Sequence, residues 1–135
     1  MTRLEITRTL PVTPEQVWQA LTDPRALAVW FWPHLDNTVE IDLRTGGRYR
    51  ITGPAAGIAV SGEYVEVTAP TRLVFTWQFD GEPAPSRVTI SLAPSGGYTV
   101  LSLVHDHISD DATREEFAQG WRDCLDRLPD TLATA

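Results

Sequence analysis

The 135-residue chain has a single cysteine, Cys124, so it can form no internal disulfide. A reducing, cytoplasmic setting is therefore expected. It has 11 basic residues against 18 acidic ones, a formal charge of −7, and no cluster of arginines. Nucleic acid and anionic membrane surfaces both need a positive face, so neither is an expected partner. No segment approaches the roughly 20 apolar residues of a membrane span, so no membrane insertion is expected. The first turns of sequence carry Arg3 and Arg8 and no apolar run of signal-peptide length. Internal repeats, low-complexity tracts and linker-like shifts of composition are also missing, which points to one domain over residues 1–135. Gly46-Gly47-Arg48 lacks the strand–loop–helix context of a phosphate loop. The histidines His34, His105 and His107 have no metal-motif spacing with nearby carboxylates. No metal or other cofactor is expected, and spacing alone pairs no serine or cysteine with a histidine as a nucleophile.

What is present is regular. Residues 3–10 alternate apolar and polar groups and read as a first strand. Thr13-Pro14-Glu15-Gln16 then carries an N-cap, a proline suited to the first helical position and a capping-box glutamine. Val17, Trp18 and Leu21 give that helix its apolar stripe. Asp23-Pro24 repeats the device for a second short helix, which is expected to run to Pro33. Six strand candidates follow, separated by Gly, Pro and Asp, and they read as an antiparallel meander. Leu73, Phe75, Trp77 and Phe79 share one face of the fourth. Leu101, Leu103, His105 and His107 are expected to share one face of the last. From Ser109 onward Phe117, Trp121, Cys124, Leu125, Leu128 and Leu132 form a single stripe on a long helix, with Pro129 expected to kink its end. A sheet with its helices on one face is an α+β arrangement.

Segments "VWQALTDPRALAVWF" (17–31), "GGRYR" (46–50), "SGEYVEVTAPTRLVFTW" (61–77), "SRVTISLAP" (86–94), "TVLSLVH" (99–105) and "GWRDCLDRL" (120–128) occur in this order. Together they resemble the activator of heat-shock protein 90 ATPase-like branch of the START/SRPBCC superfamily, over nearly the whole chain. The resemblance implies a helix-grip fold: a curved seven-stranded antiparallel sheet, two short N-terminal helices and a long C-terminal helix over a cavity. It also implies a hydrophobic small-molecule ligand more than any one reaction, because fold constrains function weakly.

The residues expected to line that cavity are Trp30, Phe31, Trp32, Tyr49, Tyr64, Phe75, Trp77, Phe79, His105, His107, Phe117 and Trp121. Trp30 is expected to anchor the helix pair, and Trp32-Pro33-His34 to form the portal. Three functions follow. The first is binding of a hydrophobic or aromatic small molecule without chemistry. The second is a cyclase, dehydratase or hydrolase acting on a polyketide-like substrate, with His105, His107 and Tyr64 as acid–base candidates. The third is a protein-interaction module, as a chaperone cofactor or a homodimer, which would show an exposed apolar patch.

Overall fold

The computed structural model describes residues 2–133, and its elements follow the order read from the sequence. Strand β1 (Thr2–Leu10) leads through helices α1 (Pro14–Thr22) and α2 (Pro24–Trp30), then a 3-10 turn at Pro33–Leu35. Strands β2 (Thr38–Ile41), β3 (Arg48–Gly53), β4 (Ile58–Thr68), β5 (Arg72–Phe79), β6 (Ser86–Ser95) and β7 (Tyr98–Ile108) follow, and helix α3 (Asp111–Ala133) closes the chain. The strands form one antiparallel sheet in the spatial order β1-β7-β6-β5-β4-β3-β2. Consecutive hairpins build β2 to β7. The first strand instead lies against the last, and α1 and α2 carry the chain across to the opposite edge. This is the helix-grip α+β fold, with α3 packed on α1, α2 and β1.

The helix ends are set by short polar groups. Thr13 Oγ1 accepts from the Gln16 backbone N–H at 3.4 Å, and Gln16 Oε1 accepts from the Thr13 N–H at 3.1 Å. Asp23 closes α1 with its own N–H and opens α2 by accepting from Arg25 N at 2.9 Å. At the start of α3, Asp110 Oδ1 accepts from Thr113 N at 2.7 Å. That helix continues through Pro129, so the proline does not end it. Its stripe is buried: Trp121, Cys124, Leu125, Leu128 and Leu132 all face the sheet side. Removing a leucine of this kind from water contributes about 2 kcal/mol.

Two expectations need correction. Helix α2 stops at Trp30 rather than running to Pro33. Its terminal carbonyls are taken by groups beyond the helix: Asn37 Nδ2 donates to Ala28 O and Phe31 O, and Arg127 Nε donates to Trp30 O at 3.0 Å. Trp32 then adopts a left-handed conformation with φ of 55°, which turns the chain before Pro33.

The second correction concerns the histidines. Between His105 and Ile108 strand β7 holds one residue more than β1 opposite it, and His107 takes φ of 59° in that bulge. The extra residue inverts the alternation. His105 is fully buried and Ile108 takes the next inward position, while His107 is exposed. The two histidines do not share a face.

Candidate functional site

The side chains that β3, β4 and β5 turn inward are largely aromatic, and they meet α2 and α3 ring to ring. Phe31, Trp77 and Trp121 form the centre of this contact. Their centroids lie 5.8 Å apart for Phe31–Trp77, 5.9 Å for Phe31–Trp121 and 5.0 Å for Trp77–Trp121. Edge-on and tilted contacts at this range are the favoured ones for aromatic pairs.

The three rings divide the interior. On one side lies an inner cavity of about 40 Å³, walled by Trp30, Tyr49, Tyr64, Phe75 and aliphatic residues such as Leu21, Ile51 and Ile90. On the other lies an outer cavity of about 60 Å³, walled by Trp32, Phe79, Phe117, Glu116, Gly120 and Cys124. Phe31, Trp77 and Trp121 line both. Pockets for drug-sized ligands run to roughly 300–1,000 Å³. The space expected between helix and sheet is therefore present but mostly filled by the rings of its own wall.

Ten of the twelve residues expected at the cavity line one void or both; the two histidines do not. Trp30 is buried and donates its indole N–H to Ala20 O at 2.9 Å, tying α2 to α1. Phe31 turns inward beside it. Trp32 is the ring that faces elsewhere: half-buried, it stacks on Phe79 at 6.0 Å with 20° between planes. His34 stands exposed on the 3-10 turn and reaches neither void, while His107 borders a surface cleft beside the loop at 82–86.

His105 sits behind the wall in a closed chain of hydrogen bonds. The indole N–H of Trp121 is only a donor, so His105 Nδ1 accepts from it, at 3.0 Å. The proton is thereby placed on Nε2, which donates to Ser86 Oγ at 2.6 Å; Ser86 in turn donates to Trp77 O at 3.1 Å. Phe117 stacks on the imidazole at 4.9 Å and 14°. Burial pulls the His105 pKa down to about 3, so the ring stays neutral. Both nitrogens are committed, and the chain cross-links α3, β7, β6 and β5. Ser86 is the member sequence reasoning missed. It follows a proline-rich turn, and nothing local marks it as the partner of a histidine 19 positions away.

Two tyrosines complete the inner wall. The Tyr49 hydroxyl donates to Thr76 O at 2.6 Å. Reaching β5 from β3 means passing β4, and Gly62 makes the room: a Cβ there would stand 1.9 Å from Thr76 O and 2.8 Å from the Tyr49 ring. Burial raises the Tyr49 pKa well above the usual phenol value, with the neighbouring Tyr64 adding to it, and burial raises that of Tyr64 as well. Both phenols stay protonated. Cys124 faces the outer cavity, and burial pushes its thiol up to about 11, too high for a nucleophile at neutral pH.

One polar atom of the wall is left over. The indole N–H of Trp77 is buried without an acceptor, in a residue only 5 % exposed. An unmade buried hydrogen bond of this kind costs about 1–3 kcal/mol. Among the described residues no group of three or more His, Cys, Asp or Glu side chains could hold a metal ion. No described helix is long and apolar enough to cross a membrane.

The family model of activator of Hsp90 ATPase homolog 1-like proteins matches residues 11–133. The chain belongs to this family. Among solved structures, the chain is similar to CV1439 of Chromobacterium violaceum, with 32% identity, 96% of each chain covered and a TM-score of 0.84. It is also similar to PFC0360w of Plasmodium falciparum, described as an HSP90 activator, at 28% identity, 90% and 88% coverage and a TM-score of 0.75. DynU16, described as a putative protein in the dynemicin biosynthetic locus, gives 26% identity and a TM-score of 0.85. There the match covers 98% of this chain but 47% of DynU16. No curated protein matches the chain. The family match spans every residue that lines the two cavities.

Proposed function

We propose that this protein binds a hydrophobic or aromatic small molecule in the interior between α3 and the sheet, holding it without chemistry. The observation that carries this reading is the pair of voids meeting at Phe31, Trp77 and Trp121. Binding moves these three rings apart, and the two voids become one site under α3. The route in crosses the outer cavity, whose wall includes the exposed Glu116 and Gly120 on α3 and the half-buried Trp32 opposite. On this reading the portal lies at Trp32, with α3 rather than His34 as its other lip. The likeness to a putative protein of the dynemicin biosynthetic locus supports a small-molecule ligand.

A cyclase, dehydratase or hydrolase would need a proton acceptor at the cavity wall. Of the candidates, His105 has no free nitrogen to serve as one, His107 lines neither void and the phenols of Tyr49 and Tyr64 are held protonated, which leaves only Glu116 at the rim. A protein-interaction role is the second reading, favoured by the likeness to the Plasmodium HSP90 activator. Native mass spectrometry of freshly purified protein tests the first reading, with a retained small molecule as the expected result. Trp77→Ala and Trp121→Ala should each weaken the affinity of any such ligand at least tenfold, since a lost aromatic wall is worth about 1.5 kcal/mol or more. Unchanged affinity in both variants would refute the assignment.

A further inference from the structure

We infer that the ligand of this interior is a neutral, planar aromatic molecule carrying a hydrogen-bond acceptor, and that Trp77 Nε1–H is the donor that selects it. This rests on the reading of the interior as a binding site and goes further by naming the ligand's chemistry.

The wall treats its donors unequally. Two other indoles of the wall have protein acceptors: Trp30 donates to Ala20 O and Trp121 donates to His105 Nδ1. The hydroxyl of Tyr49 donates to Thr76 O. Among the described residues, Trp77 has the one indole N–H that is itself buried and meets nothing. Its backbone is nevertheless fixed, because its own carbonyl receives the hydroxyl of Ser86 and its strand is paired with β6. Trp121 is held from behind by the histidine, and it packs on Trp77 at 5.0 Å. In this packing the Trp77 N–H reaches no protein acceptor. An indole N–H is a donor and never an acceptor, so whatever satisfies it must bring a lone pair.

The remaining surroundings restrict the class further. Outside Glu116 at the rim, neither cavity has an ionisable carboxylate, guanidinium or imidazole in its wall. A formal charge on the ligand would enter without a partner, which is strongly unfavourable. The ring contacts of Phe31, Trp77 and Trp121 favour a flat aromatic body between them, stacked or edge-on. A carbonyl or ether oxygen, or a ring nitrogen, then accepts from Trp77.

Three fused bicyclic probes of similar size separate the possibilities: quinoline brings an acceptor, naphthalene brings neither group, and indole brings a donor. Each is titrated into the ¹⁵N-labelled protein at neutral pH, following the Trp77 Nε1–H resonance and the affinity. Quinoline should bind about tenfold more tightly than naphthalene and move the Trp77 resonance downfield. Indole should bind no more tightly than naphthalene. Trp77→Phe keeps a ring and removes the donor, so quinoline should fall to the level of naphthalene while naphthalene still binds. If that variant does not fold, the resonance shift in the unmodified protein decides. Equal affinity for quinoline and naphthalene with an unmoved Trp77 resonance overturns the acceptor requirement and leaves the interior binding site standing. Failure of all three probes to bind removes the binding site itself, and the acceptor with it.

Discussion

Acid should unfold this protein earlier than its carboxylates alone require, and the cause is His105. In the folded chain burial holds its pKa near 3, against about 6.5 when unfolded. Above the unfolded value the imidazole is neutral in both states and costs nothing. As pH falls below 6.5 the unfolded chain takes up a proton that the folded chain refuses, so stability drops with falling pH. The slope is about 1.4 kcal/mol per pH unit for one proton, and it persists until the folded histidine protonates near pH 3. At about pH 4.5 this one residue should have removed roughly 2–3 kcal/mol relative to neutral pH. No discount for solvent applies, because His105 has no exposed surface. The exposed His34 and His107 have no comparable burial. Asp80 and Asp110, whose pKa values are lowered by hydrogen bonds from Arg50 and from Thr113, lose their contribution only as pH falls through the acidic carboxylate range. Urea melts between neutral pH and about pH 4.5 measure the slope, and His105→Asn is the control. Asparagine can still accept from Trp121 but takes up no proton, so its slope over this range should be near zero although its absolute stability is lower. Equal slopes in the two proteins, or a native His105 that titrates near 6.5 by NMR, would refute the argument.

Two further outcomes follow from the same geometry. Ser86→Ala strands the proton on His105 Nε2, and the ring cannot move it to Nδ1 because Trp121 already donates there. A loss of about 1–3 kcal/mol in urea unfolding is expected, with no change in the denaturant slope. The glycines Gly120 and Gly62 should respond oppositely to alanine. At Gly120, inside α3, a Cβ meets nothing within 4 Å, so helix propensity should add about 0.5–1 kcal/mol in thermal melts. At Gly62 it would collide with Thr76 O and the Tyr49 ring, so that variant should be destabilised beyond about 3 kcal/mol. A Gly62→Ala protein as stable as the parent would show that Tyr49 does not cross β4 in the way described.

Much of the fold was legible because its signals are local. Thr13 and Asp23 sit beside the groups they cap, and the turns between strands carry their own Gly and Pro. The aromatic lining was legible for a related reason: alternate positions on β5 must face one side, so Phe75, Trp77 and Phe79 travel together. The failures all have causes outside the element concerned. Helix α2 ends early because Asn37 and Arg127, from elsewhere in the chain, supply its last carbonyls with donors. The bulge that turns His107 outward is a mismatch of length between β7 and β1, and neither strand contains it alone. Ser86 matters only because β6 lies beside β7, which brings it to His105. The filling of the cavity was also beyond reach, since it depends on how far three rings from α2, β5 and α3 extend toward one another.

The placement of β1 beside β7 has a consequence for how the chain comes into being. Strands β2 to β7 can pair with neighbours as each hairpin leaves the ribosome. β1 is made first and has no partner until β7 has been made, since Leu4 pairs with His105 and Leu10 with Thr99. Joining segments so far apart carries the larger share of the loop-closure entropy and belongs late in folding. Until then the inward face of β7 lacks the strand that flanks it. The aromatic interior closes later still, because Trp121 on α3, which is made after β7, walls both cavities, and an aromatic compound present during synthesis would meet an open groove before it meets a pocket.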